Sequence, residues 1–257
     1  MSFVVVIPSR MTSTRLPKKP LKDICGKPMV VRVAERAATS GAERVVVAAD
    51  SEEIINVVTE NGFEGILTDP NHPTGTDRIA EAVQKMGLAD DAIVVNVQGD
   101  EPLIEPAVIR QVAELLEHDT ESTIATAAHP IADAESFFNP NVVKVELDSF
   151  GRAMTFTRAP VPWPRDAFAK DRTHLPEGFT AYHHVGLYAY RALFLKRFST
   201  LTRAPIERFE SLEQLRAMWH GYKIAVAILE GTPPAGVDTA EDLERVRSVF
   251  KKMLLSD

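Results

Sequence analysis

Four cations, Arg10, Arg15, Lys18 and Lys19, are interleaved with the hydroxyls of Ser9, Thr12, Ser13 and Thr14 within one short stretch. That mixture suits a polyphosphate. Arginine offers a planar fork, lysine a point charge, and backbone N–H groups fill the gaps. The competing reading is a solvated basic loop. Against it, the chain carries a formal net charge of −7, yet these cations are gathered in one place. The pattern GxxxxGKS/T is absent, so this is not a Walker loop. A second group with chemical potential is Gln98-Gly99-Asp100-Glu101-Pro102. Mg²⁺ takes carboxylate and phosphate oxygens, so Asp100 beside a polyphosphate loop is a candidate Mg²⁺ ligand. On its own the same turn reads as an Asx turn ahead of a helix starting at Pro106.

These groups need elements to position them. Phe3–Ile7 is a continuous apolar, β-branched run, expected as a strand buried on both faces and ended by Pro8. Pro28 opens a helix with an apolar stripe of Met29, Val30, Val33, Ala34 and Ala37, closed by Gly41. A strand over Val45–Ala49, a helix capped by Ser51 and ended by Gly62, and a strand over Gly65–Leu67 follow. This alternation predicts a parallel sheet covered by helices. Thr68 to Arg78 is irregular, and Thr76 or Asp77 is the expected cap of the next helix. Ala92–Val97 is a buried strand that empties into the Gln98–Pro102 turn, and open α/β sheets bind ligands at such carboxyl ends.

The later part changes character. Val142–Leu147 and Ala153–Thr157 read as an antiparallel hairpin, followed by a proline-rich stretch over Pro160–Pro176. In Tyr182–Tyr190, the residues His184, Gly186, Tyr188 and Tyr190 share one face. Aromatics with a histidine on one face most often pack in a core or an interface. One helix is predicted over Pro205–Gly221, with Ile206, Phe209, Leu212, Leu215 and Trp219 on its apolar face. Glu210, Glu213 and Gln214 lie opposite, where such residues are usually solvated. Asp238 precedes the last amphipathic helix and reads as its N-cap.

The bulk properties exclude several classes. A net charge of −7 argues against a general nucleic-acid binder, which would need a basic face. The single Cys25 forms no intrachain disulfide and no zinc pattern. No basic leader precedes the first apolar run, and no run approaches the roughly 20 apolar residues of a membrane span. A cytoplasmic protein of one α/β domain is expected, without membrane or nucleic-acid partners. The apolar residues of Pro160–Tyr190 exceed what one small subdomain buries, which predicts a homodimer.

Arg10-x-x-Ser-Thr-Arg-Leu-Pro-x-Lys-Pro-Leu21 after a first strand resembles the nucleotide-binding loop of the sugar nucleotidyltransferases that make CMP-activated acid sugars. The resemblance is strongest to the 3-deoxy-manno-octulosonate (Kdo) cytidylyltransferases. Ser9 stands where that family usually has alanine. His72–Arg78, Gln98–Pro102, Thr157–Trp163, His184–Tyr188, Ser211–Arg216 and Gly236–Thr239 resemble further family motifs, in family order. The resemblance implies a nucleotide-diphospho-sugar-transferase-like, Rossmann-like α/β fold: a mostly parallel sheet flanked by helices. It implies one domain over 1–257, with an inserted antiparallel subdomain at about 140–192 that binds sugar and forms the dimer. It implies a reaction of CTP with Kdo to give CMP-Kdo and pyrophosphate, for lipopolysaccharide core synthesis.

Residue by residue, the resemblance assigns Arg10, Lys19 and Asp100 to catalysis. Pro8, Ser9, Arg10, Ser13, Arg15 and Lys19 would hold the nucleotide phosphates, and Gly75, Thr76 and Arg78 the base. Gln98 would sit between nucleotide and sugar. Arg158, His184, Tyr188, Glu213 and Gln214 would contact the sugar, with Arg158 as the cation for its carboxylate. Asp238 would join Asp100 as the second Mg²⁺ ligand. Two alternatives stay open: another acid sugar, such as 8-amino-Kdo or sialic acid, and a nucleotide-binding regulator without catalysis.

Overall fold

The computed structural model describes residues 2–255. Its first part runs β1 (Phe3–Ser9), a 3-10 turn (Lys19–Leu21), β2 (Asp23–Ile24), β3 (Lys27–Pro28), α1 (Met29–Ala38), β4 (Arg44–Ala49), α2 (Glu52–Glu60) and β5 (Glu64–Leu67). Then come α3 (Gly75–Met86), β6 (Ile93–Asn96), α4 (Pro106–His118), β7 (Ile124–Pro130), α5 (Ala134–Phe138), β8 (Lys144–Leu147), β9 (Ala153–Thr157) and α6 (Arg165–Phe168). The last part is β10 (Tyr182–Arg191), α7 (Ala192–Phe198), α8 (Pro205–Glu210), α9 (Gln214–Trp219), β11 (Ile224–Ile228) and α10 (Ala240–Leu254).

Nine strands form one sheet, with the main order β11-β7-β10-β6-β1-β4-β5. Every neighbouring pair on this path is parallel except those that include β10. The carboxyl ends of β1, β4, β5, β6, β7 and β11 therefore share one edge. β8 and β9 pair antiparallel and join the sheet through β10. The antiparallel portion is thus continuous with the main sheet, because β10 lies inside it.

The apolar strands are covered on both faces, as their unbroken hydrophobicity requires. Val5, Ile7, Val47 and Val95 pack under α1, α2 and α4. Val4, Val6, Val46 and Val94 pack under α3, α7 and α9. β1 runs through Pro8, two residues past the expected strand. Beyond Val6 only β4 still pairs with it, so the missing proline N–H falls at a half-paired strand end.

Two local expectations are corrected. Thr74 caps α3 by accepting from Asp77 N, so Thr76 and Asp77 lie inside the first turn. The helix predicted over Pro205–Gly221 breaks into α8 and α9 at Ser211, whose φ is 52°. A buried ion pair drives the break. Arg216 on α9 donates through Nε and Nη2 to the Glu207 carboxylate on α8, at 3.0 and 2.7 Å. A straight helix would separate these groups by more than two turns. The break leaves Phe209 91% exposed, with Ile206 and Trp219 also exposed, while Leu212 and Leu215 stay in the core.

Ile109 on α4 is fully buried in the sheet's main core. Ile109→Ala is expected to cost about 2–5 kcal/mol in chemical denaturation, the usual range for such a cavity. A loss well under 1 kcal/mol would mean that α4 does not seal this face.

Candidate active site

β1 pairs with β4 on one side and β6 on the other, so the chain order reverses there. Such a switch point opens a crevice at the strands' carboxyl ends. A cavity of about 490 Å³ lies at this place, walled by the loops after β1 and β6, by the start of α3, and by Asp238.

The loop after β1 is pinned at both ends. Met11 N donates to Asp50 Oδ1 at 2.9 Å, which ties the loop to the end of β4. Leu16 is buried in a satellite core with Ile24, Met29, Val237 and Phe250. Between and beside these anchors Arg10, Ser13, Arg15 and Lys19 face the cavity. Lys18 does not line it and pairs with Glu53 at 2.9 Å. The loop after β6 comes close beneath. A Cβ on Gly99 would sit 2.7 Å from Ser9 Oγ and 3.0 Å from Pro8 O, so only glycine fits without a shift. Ser9 Oγ itself is buried without a partner.

Asp238 arrives from far away in the chain. Val237 N donates to Asp100 O at 2.8 Å, which holds the segment after β11 against the segment after β6. A Cβ on Gly236 would meet Asp100 O at 3.1 Å. Thr239, not Asp238, caps α10, with Asp242 closing a capping box. Asp238 is thereby left to face the cations. Lys19 Nζ lies 2.5 Å from Asp100 Oδ2 and 3.1 Å from Asp238 Oδ1, and Arg15 Nη2 lies 2.9 Å from the same Asp238 oxygen. Among the described residues no group of three or more His, Cys, Asp or Glu side chains gathers as a metal site. Two carboxylates suffice for Mg²⁺ where phosphate oxygens complete the shell, so this pair has the donor chemistry for it.

A second, smaller cavity of about 140 Å³ adjoins the first, and Gly75 and Gln98 line both. Its wall includes Thr76, Asn96, Tyr188, Tyr190, Glu213 and Gln214. Thr76 donates its hydroxyl to Glu213 Oε1. Burial raises the Glu213 pKa, and the bond from Thr76 works against that rise. The Gln214 amide nitrogen is buried without a partner. Arg78 is only 4% exposed, with Nη1 donating to Thr68 Oγ1 at 2.5 Å and Nη2 3.6 Å from Asp50. Its burial lowers its pKa, and the Asp50 charge opposes that.

The two cavities thus gather most of the residues singled out in the sequence. Pro8, Ser9, Arg10, Ser13, Arg15, Lys19, Gly75, Arg78, Gln98, Asp100 and Asp238 line the first. Thr76, Gln98, Tyr188, Glu213 and Gln214 line the second. Arg158 and His184 line neither. Arg158 ties β9 to α8 and the turn before β8, donating from Nε to Glu210 O at 2.7 Å and from Nη1 to Pro140 O at 2.9 Å. His184 lies behind Tyr188, with ring centroids 5.3 Å apart. Burial, then the neighbouring His183, holds its pKa down to about 3. Thr126 gives its one hydroxyl proton to Leu187 O at 2.7 Å, so His184 Nε2 donates to Thr126 at 3.0 Å.

The profile of the cytidylyltransferase family matches residues 4–224. The chain belongs to the cytidylyltransferase family. Among solved structures it is similar to a CMP:2-keto-3-deoxy-manno-octonic acid synthetase complexed with CTP. That match has 38% identity and a TM-score of 0.89 and covers 98% of this chain and 100% of the other. A cytidylyltransferase from Leptospira borgpetersenii matches at 17% identity, TM-score 0.62, over 98% of this chain and 87% of its own. A nucleotidyl transferase from Methanothermobacter matches at 14% identity, TM-score 0.59, over 98% of both chains. The last two share the fold.

In this cytidylyltransferase the cavities include residues that sequence reasoning did not place. His72, Pro73 and Thr74 line the first, within the same irregular stretch that supplied Gly75 and Arg78. Asn96 and Tyr190 line the second. Asn96 had a readable signal, an amide inside the apolar run Ile93–Val97. Phe194 and Phe198 on α7 had none, since an apolar pair one turn apart reads as core.

Glu101 sits beside the carboxylate pair, with Oε2 buried and unpartnered. Burial, then the charge of Asp100, pushes its pKa up to about 7. A raised folded-state value means that its contribution is intact below the ordinary carboxylate range and is lost as pH rises through about 7. Glu101→Gln is therefore expected to stabilise the metal-free protein at pH 8 and change little at pH 5, read as urea midpoints. Equal midpoints for variant and parent at both pH values would show that the carboxylate is solvated.

Proposed function

We propose that this cytidylyltransferase joins CTP and Kdo to give CMP-Kdo and pyrophosphate. The observation that carries the proposal is the pair of adjoining cavities at the switch point. One is cationic with two carboxylates and the other is aromatic and polar, and they share Gly75 and Gln98. The similarity, over 98% of this chain and all of the other, to a synthetase named for this acid sugar and solved with CTP supports the same reading.

Arg10, Arg15 and Lys19 bind the triphosphate and spread the charge that develops on the leaving group. Gly75 and Arg78 meet the base. Gln98 stands between the substrates, while Tyr188, Glu213 and Gln214 receive the sugar, whose hydroxyls would pair the free Gln214 amide. Arg158 and His184 support this wall from behind, through α8 and Tyr188. The anomeric hydroxyl attacks the α-phosphorus. A sugar-oxygen-to-phosphorus bond forms, the bond to the β-phosphate oxygen breaks, and the hydroxyl proton leaves to solvent. The protein's main contribution is alignment of the two substrates. Asp100 and Asp238 would hold Mg²⁺, which supplies charge neutralisation on the phosphates. The enzyme works in the cytoplasm, and its product feeds the lipopolysaccharide core.

A pyrophosphate-release screen of four nucleoside triphosphates against Kdo, 8-amino-Kdo and sialic acid tests the reading. Turnover is expected with CTP and Kdo, and a stronger signal with another pair would replace that assignment. Asp100→Asn and Asp238→Asn are each expected to lower kcat by about a hundredfold or more, the size of losing one preorganised electrostatic group. Turnover undiminished in excess chelator would remove the metal from the mechanism. Lys19→Ala should weaken CTP binding by at least about tenfold without unfolding the protein.

The same reading includes a homodimer. Met154 on β9, Trp163, and Ile206 and Phe209 on α8 are exposed apolar side chains around the antiparallel portion. A second copy would cover them around a two-fold axis. Light scattering at micromolar concentration is expected to give twice the mass of 28.3 kDa, and the monomer mass would remove the claim.

A further inference from the structure

We propose that the Lys19 ammonium is the resident counter-ion of the Asp100–Asp238 pair, so that a divalent cation enters only together with the nucleotide. The proposal rests on the reading of these two carboxylates as the metal seat.

The geometry is that of a filled seat. Asp100 Oδ2 and Asp238 Oδ1 both point at one nitrogen, Lys19 Nζ, at 2.5 and 3.1 Å. The Lys19 side chain is only 13% exposed, although it belongs to a surface loop. A cation that takes these oxygens at the roughly 2.0–2.1 Å of Mg²⁺ coordination must occupy the space that the ammonium holds. Arg15 adds a second positive charge 2.9 Å from Asp238 Oδ1. Two carboxylates, one ammonium and one guanidinium sum to zero. The free protein therefore offers a bare divalent ion little electrostatic gain, while displacement of Lys19 would cost its contacts.

The carboxylates are the fixed partners and the lysine is the movable one. The Val237 N–H to Asp100 O bond and the close approach of Gly236 lock the two backbones together. Asp238 N donates to Asp242 Oδ2 at 3.1 Å, which fixes its position ahead of α10. Lys19 reaches the pair on a flexible four-carbon stem. An incoming triphosphate provides oxygens for Lys19 and Arg15, and the same movement uncovers the two carboxylates. Each charge keeps a partner throughout. One cation is exchanged for another, and the exchange is driven by the nucleotide's phosphates.

Mn²⁺ serves as a spectroscopic stand-in for Mg²⁺. Its binding to nucleotide-free protein is read as loss of the free-ion electron paramagnetic resonance signal. Lys19→Met is expected to bind Mn²⁺ alone at least about tenfold more tightly than the parent, the smaller end of what a unit charge at contact distance does to a proton equilibrium. Lys19→Gln should behave alike and serves if the methionine variant folds poorly. Lys18→Met removes the same charge one residue away, on the Glu53 side, and should leave Mn²⁺ affinity unchanged. Asp238→Asn in the Lys19→Met background should cancel the gain. Equal affinities for the parent and both Lys19 variants would overturn the proposal, as would an equal gain in Lys18→Met.

The parent's CTP-dependent Mn²⁺ uptake separates the two readings. If that uptake requires Asp100 and Asp238 while the Lys19 variants gain nothing, the metal seat stands and only the counter-ion role falls. If it survives Asp100→Asn and Asp238→Asn, the metal seat itself is wrong and the proposal falls with it.

Discussion

The hydrogen bond from Val237 N to Asp100 O, 2.8 Å long, joins two strand ends that the sheet keeps well apart. β11 is the outermost strand on one side, and three others separate it from β1. Left at its own edge, Asp238 would have nothing to do with the first loop. The chain instead turns back across the carboxyl edge, buries Val237 beside Leu16 and Met29, and sets Asp238 beside Lys19. Gly236 permits the contact, since a side chain there would meet the Asp100 carbonyl. The cationic loop, the carboxylate pair and the placement of α10 all depend on this one closure. Without it the site would be a cationic loop with one acidic neighbour.

The second constraint is the reversed strand. β10 enters the middle of the sheet against the direction of its neighbours and carries Tyr188 and Tyr190 to the wall of the smaller cavity. A parallel strand there would need its own crossover helix. A reversed one lets α7 start directly at Ala192 and lets β8 and β9 join at its other end. The folded-back pair α8 and α9 completes the wall. The Glu207–Arg216 ion pair, buried and bidentate, holds α9 so that Glu213 and Gln214 face the cavity. The larger cavity is built mainly from loops that follow parallel strands, and its neighbour mainly from elements that depart from that pattern.

This division explains how much could be read from the chain. β1, β4 and β6 were legible because β-branched apolar runs followed by Pro8, Asp50 and Gly99 leave few other structures, whereas the two-residue strands β2 and β3 carry no such run. The cationic loop was legible because charge and hydroxyls concentrate there against an acidic background. The break at Ser211 was not, because Ile206, Phe209, Leu212, Leu215 and Trp219 satisfy a helical period whether or not the helix is continuous. What decides it is an ion pair between residues nine apart, which periodicity does not register. Arg158 and His184 show the converse. Their types suit a sugar acid, but Glu210 O and Pro140 O take two of the arginine's donors, and Thr126 takes the histidine's Nε2. Side-chain chemistry was readable; which partner each group would find was not.

The order of the chain also sets the order in which competence appears during synthesis. The cationic loop, Arg78, Gln98 and Asp100 all emerge from the ribosome before β7, and they contain most of the charged lining of the larger cavity. Asp238 follows the last strand of the sheet. A nascent chain halted before β11 would hold the cations without the carboxylate that balances Arg15 and half of Lys19. Such an intermediate would attract anions more strongly than the finished protein does, yet lack the second carboxylate of the pair. Completion of the sheet therefore brings the balancing charge last, after the cations of the cavity are already in place.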